Sequence, residues 1–395
     1  MMTGTGEYPA KRKKLEVLNR AWFILAALWF SLLLLPFKGL KPALILFFVL
    51  SAVILFMQYI AGFVRVLTAR LHALTGRFKA VSLSHTTSLT VRASFLAVLM
   101  VLPFLAQDYF LDVVVLTGIY IILALGLNVI VGFTGLLHLG FAASYAIGAY
   151  TYALLNTKAG LGFWYSLPVC AGLAALSGAV IALPALRLKG DYLAIVTLGF
   201  GEIVRLILNN WDTFTGGPNG ISGIAVPYFF GITIGRLGLH YYITLMAVVL
   251  TYVVVKRVRR SKTGRAWIAI REDEVCAATM GVNTMRYKLY AFAFGSFWAG
   301  LAGALFAVKM QFVSPESFTF IESVLILCMV ILGGLGSIPG VIVGAIILVM
   351  LPEVLREVQT YRMLALGAGL IIMMIFRPQG LLGGWGDERR ETKDE

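Results

Sequence analysis

The chain has 395 residues, 59% of them hydrophobic and 13% charged, with a mean hydropathy of +0.88 and a formal net charge of +14. A soluble domain carries about 25% charged residues, and the shortfall here coincides with apolar runs long enough to cross roughly 30 Å of hydrocarbon. A soluble enzyme is thereby excluded, continuous rather than alternating runs argue against a β-barrel, and the expected fold is an all-α polytopic transmembrane helical bundle of about 10–12 segments, some discontinuous.

Apolar segments can be drawn near 21–36, 42–64, 93–106, 110–131, 133–155, 164–186, 190–209, 240–256, 288–308, 318–334, 337–355 and 361–377. Basic residues precede the first, but no small-residue cleavage site follows Pro36, so it reads as a retained span rather than a signal peptide. Residues 1–92 form N-terminal segments and a basic loop, 93–383 the main membrane domain, and 384–395 a charged tail. The whole charge excess sits in three stretches: the N-terminus (+3), 65–92 (+5) and 256–288 (+6). Basic patches that punctuate membrane spans mark the cytoplasmic side; they do not call for a nucleic-acid partner. With the N-terminus inside, each patch and the C-terminal tail fall on that side, and 213–223 falls outside.

The stretch GFTGLLHLGFAASYAIGAY (132–150) is rich in Gly and Ala, including Gly135, Gly140 and Gly148. Either helices pack tightly here, or a helix breaks and its freed backbone lines a pathway. A loosely similar stretch, GGLGSIPGVIVGAII, follows at 333–347 and begins with Gly333 and Gly334. Between them, Glu202 and Arg205 lie three apart on one helix face, as a structural ion pair or a substrate or proton site. Glu322 has no obvious partner in sequence. The turn-rich loop at 213–223, with Thr215, Gly216, Gly217 and Asn219, is either a plain turn or a rim for an external partner.

Residues 256–288 are the longest polar stretch. Thr263 as N-cap, the absence of Gly and Pro from Arg265 to Met280, and Gly281 as a stop predict one helix. No Gly-rich loop ending in Gly-Lys-Ser/Thr, no His-Glu-x-x-His and no Gly-x-Ser-x-Gly occurs. The four His are scattered, and Cys170, Cys276 and Cys328 read as small apolar residues. Nothing points to a catalytic or metal site in this chain.

Six motifs occur in order: LRLKGDYLAIVTLGFGEIVRL, TGGPNGI, GRAWIAIREDEVCAATMGV, FVSPESFTFIESV, LGGLGS and FRPQGLL. Over roughly 108–383 the chain resembles the permease subunits of the high-affinity branched-chain amino acid ABC importers, in their LivM branch. The resemblance implies a second related permease subunit, two ATP-binding subunits holding ATP-Mg, a soluble substrate-binding protein, and lipid around the chain. It implies the bacterial inner membrane with both termini cytoplasmic, and no cofactor on this chain. Substrates would be branched-chain amino acids, with other amino acids or urea and short amides as the alternative; an ion-coupled secondary transporter is the rival of another class. The helix within 256–288 would couple to the ATPases through Gly264, Arg265, Trp267, Ile270, Arg271, Glu272, Ala277, Ala278 and Gly281. The importer signature Glu-Ala-Ala, six residues before Gly, is replaced here by Val275-Cys276-Ala277. The substrate path would draw on Gly135, Gly140, Gly148, Glu202, Arg205, Glu322, Gly333 and Gly334.

Overall fold

The computed structural model describes residues 107–354, apart from 186, 187, 189 and 226–235, together with 103, 367, 380 and 381. The segments expected near 21–36 and 42–64, and nearly all of 93–106 and 361–377, therefore lie outside the described residues. The other eight apolar segments are all helices. These are α1 (Asp108–Leu127), α2 (Phe141–Thr157), α3 (Phe163–Ala185), α4 (Asp191–Asn210), α6 (Arg236–Arg259), α9 (Thr284–Met310), α10 (Phe320–Gly333) and α11 (Ile338–Val354). Shorter helices are α5 (Asp212–Thr215), α7 (Lys262–Glu272) and α8 (Glu274–Thr279). Two-residue strands β1 (Ile221–Ser222) and β2 (Phe312–Val313) pair antiparallel, Ile221 opposite Val313.

Among the described residues, five helical stretches are long and apolar enough to cross a membrane: 108–133, 163–184, 238–259, 284–310 and 315–333. The chain is thus a helical multi-pass bundle. Helix α4 is long enough as well but carries Asp191, Glu202 and Arg205.

Helix α9 is the centre, packed against α3, α2 and α1. Small residues on several faces let this happen: Gly295, Ala299, Gly300, Gly303 and Ala304 are all buried. One close approach is to α2, where a Cβ placed on Gly148 would overlap the backbone of Gly300. Without a strong hydrophobic drive between helices in lipid, such close backbone contact is what dispersion needs to hold them together. The N-terminus of α9 is capped by Asn283, whose Oδ1 accepts from Arg286 N at 3.1 Å. Its other end turns at Gln311 (φ 56°) into β2. By contrast α3 and α4 leave Leu176, Val180, Leu183, Ile195 and Ile203 exposed, as helices facing lipid or a partner do.

Loops gather at two ends. At one, Lys158 Nζ donates to Phe214 O (3.0 Å), Ala225 N donates to Asn156 Oδ1 (2.7 Å), and β1 meets β2. At the other, the connections after α1, α6 and α10 come together. The basic stretch 256–288 belongs to this second end.

Candidate functional site

The second of these ends holds the polar segment. It is not one helix from Thr263. Ser261 is the N-cap, accepting from Gly264 N at 3.4 Å, and α7 stops at Asp273, whose extended backbone (φ −154°, ψ 112°) begins α8. Asp273 Oδ1 accepts from Val275 N (2.8 Å) and Cys276 N (3.0 Å). A carboxylate on two free amides at a helix N-terminus is a strong cap, so the break is built into the sequence. Gly281 does end the pair, at φ 83°.

The helix pair is clamped to the bundle by its apolar side. Trp267 is 1% exposed, packs against Phe294, and donates Nε1 to Tyr287 O at 2.8 Å. Ile270 and Ala277 are buried with it. Lys288, near the start of α9 and itself buried, forms an ion pair with Glu274 at 2.6 Å. This corrects the expectation for Gly264, Trp267, Ile270 and Ala277: all four are buried and unavailable to a partner here. The open face includes Arg265, Arg271, Glu272, Ala278 and Gly281, together with Val275, Cys276 and Met280. Cys276 is therefore not apolar filler. Its thiol pKa is raised because it hydrogen-bonds the Asp273 carboxylate, which also repels the thiolate.

Beside this pair lie the two Gly-rich stretches, and both fold as helix, break, helix. After α1 the helix widens into a π-turn (Asn128–Phe133), then unwinds until α2 starts at Phe141. After α10 the chain turns through Gly334 (φ 105°) and Gly336 (φ 82°) into α11. The breaks meet: Gly336 N donates to Asn128 Oδ1 at 2.9 Å. Arg271 reaches the same point, its Nη1 donating to Gly132 O at 2.6 Å. A Cβ on Gly132 would overlap the Asn128 side chain, so only glycine fits there. Leu381 N, from the FRPQGLL motif, donates to Leu332 O at 2.9 Å and closes the end of α10. His138, in the first break, is buried edge-on to the rings of Phe141 and Phe292.

The expected pathway residues separate. Gly148 is a helix contact against Gly300, and Gly140 packs on Thr197. Gly135 lies at φ 71° in the break, against the Arg271 stem. Gly333 packs against Gly340. Glu202 and Arg205 are an ion pair at 2.9 Å. Glu202 also lines a cleft with Ala142, Ala143, Gly201 and Ser323, where Ala142 N donates to Ser323 Oγ at 2.9 Å. Glu322 has a partner after all: Tyr120 donates its hydroxyl to Oε2 at 2.9 Å.

In the loop at the opposite end, Thr215 and Gly217 are buried. Thr215 Oγ1 donates to Leu208 O (2.6 Å) and receives Gly217 N (3.3 Å), so both hold the turn itself. Asn219 is exposed and Gly216 half-buried.

Comparison with known proteins follows the same lines. A family model described as the permease component of branched-chain amino acid transport systems matches residues 109–376. The chain is 49% identical over 315 residues to the high-affinity branched-chain amino acid transport system permease protein LivM of Escherichia coli (strain K12), covering 73% of this chain and 74% of that one. To the probable branched-chain amino acid transport permease protein LivM of Methanocaldococcus jannaschii it is 26% identical over 316 residues, covering 67% and 90%. To the permease protein LivH of Salmonella typhimurium it is 27% identical over 291 residues, covering 68% and 93%. No solved structure matches.

Proposed function

Since the chain belongs to the branched-chain amino acid transport permease family, we propose that it is a membrane subunit of an ATP-driven importer for branched-chain amino acids, placed in the bacterial inner membrane with both termini cytoplasmic. The observation that carries this reading is the 49% identity to a LivM permease over three quarters of the chain. Similarity to both LivM and LivH proteins supports pairing with a second, related permease. Separate ATP-binding subunits would dock on the open face of α7 and α8, holding ATP-Mg themselves, and a soluble protein would deliver substrate at the end carrying Asn219.

The geometry supports this division of labour. The docking face is small and unobstructed (Ala278, Gly281) with charge around it (Arg265, Glu272), which suits charge-assisted protein contacts. Glu202 and Glu322, the two carboxylates considered as ion-coupling groups, are engaged by Arg205 and Tyr120.

Co-expression with a LivH-type permease, two ATPases and a binding protein, followed by affinity purification through this chain, tests the proposal. The ATPases should co-purify, and leucine, isoleucine or valine should stimulate hydrolysis when the binding protein is present. Recovery of the chain without ATPases would defeat it; stimulation only by another amino acid or a short amide would change the substrate and keep the mechanism.

A further inference from the structure

The end of α1 lies inside the protein, and its last carbonyls have no continuing helix to satisfy them. Two find partners within the break: Ile130 O accepts from Leu136 N and Val131 O from Gly135 N, both at 3.2 Å. The next, Gly132 O, accepts from Arg271 Nη1, a residue 139 positions away on the docking pair. A guanidinium at a helix C-terminus is doubly suited, as a donor to an orphan carbonyl and as a cation at the negative end of the helix dipole. A second cation, Arg259, lies 5.8 Å from the ring of Phe133 at the same terminus.

The contact reaches further than one carbonyl. A Cβ on Gly336 would stand 3.0 Å from Arg271 Nη1 and 3.2 Å from Gly132 O, so the second break closes over this hydrogen bond. A Cβ on Gly135 would stand 3.1 Å from Arg271 Cγ, so the first break lies along the stem. One side chain thus touches both breaks, from the last turn of the helix that offers its other face to a partner.

We infer that Arg271 is a positioning residue for coupled transport: through its bond to Gly132 O, movement of the docking pair reaches both membrane breaks at once. The inference rests on the proposed function. Arg271 is exposed beside Glu272, and what separates it from Arg265 and Glu272 is that its guanidinium also bonds the bundle, at Gly132 O. The clamps at Trp267 and Lys288 tie the docking pair to α9, and among the hydrogen bonds described Arg271 ties it to the break after α1, with Gly336 of the second break packed beside that bond.

The test uses the complete transporter in proteoliposomes, with leucine uptake and ATP hydrolysis measured on the same preparation. Arg271→Gln should leave ATPase subunits bound and hydrolysis within about twofold of wild type, while leucine moved per ATP falls about tenfold, a typical coupling between sites. Arg271→Lys, which keeps a cationic donor, should recover part of that ratio. A purely structural role would lower assembly, uptake and hydrolysis together at a constant ratio, and that result, or an unchanged ratio, overturns the inference. If Arg271→Gln does not assemble, Gly336→Ala crowds the same hydrogen bond with Arg271 in place and should lower the same ratio. Absence of ATP-dependent uptake in the wild type would instead defeat the functional proposal itself.

Discussion

At the scale of residues, the docking pair is where sequence and structure differ most usefully. Trp267 and Ile270 sit in the same helix as Arg265, and nothing in their local sequence says which face turns inward. The answer comes from α9, which supplies Phe294, Tyr287 O and Lys288. The break at Asp273 was legible: an Asp followed by Glu is an N-cap signal, masked here by the lack of Gly or Pro. Tyr120 as partner of Glu322 was not legible, since the two are 202 positions apart. The Asp273 carboxylate gives a prediction. Because it raises the Cys276 thiol pKa, less reactive thiolate exists at neutral pH, and maleimide labelling should accelerate as pH rises. Asp273→Asn, which can still cap α8, should speed labelling at neutral pH and shift the rate–pH curve downward. Equal curves for both proteins would show that the carboxylate does not act on the thiol.

At the scale of elements, eight helices match the apolar segments drawn along the described residues to within a few positions, except that the segment drawn from 133 becomes helix only at Phe141. Length and continuous hydrophobicity suffice for that. The Gly-rich stretch at 132–150 did not have to choose between packing and breaking, because it does both. Its first half is the break and its second half, from Phe141, is a helix whose Gly148 meets Gly300. Sequence periodicity could not separate these, since glycine serves a turn and a close approach equally well. The Gly148 contact is steric, so Gly148→Val should force α2 from α9. Overpacking of this kind costs about 1–3 kcal/mol or more, and the expected result is loss of the monodisperse peak in detergent size-exclusion chromatography. Gly172→Val, where a Cβ meets nothing within 4 Å, is the matched control and should behave as wild type. Normal behaviour of the Gly148 variant would mean that the helices are not held this closely.

At the scale of the molecule, the two ends have different characters. One is closed by β1 and β2, the Lys158 contacts and the turn held by Thr215. The other gathers the docking pair, both breaks and Leu381. Charge patterning marked 256–288 as the polar stretch of one end, the other two basic patches lying outside the described residues. It could not anticipate that the two Gly-rich stretches touch, which depends on a hydrogen bond between Asn128 and Gly336, 208 positions apart. Under the proposed function, energy from ATP enters at this end, into a chain that has no nucleotide-binding motif of its own. The most direct measurement is leucine uptake by the assembled complex in proteoliposomes, comparing enclosed ATP without ion gradients against an imposed proton gradient without ATP. Uptake should require ATP and be indifferent to the gradient. Uptake driven by the gradient, by this chain without ATPase subunits, would contradict the account.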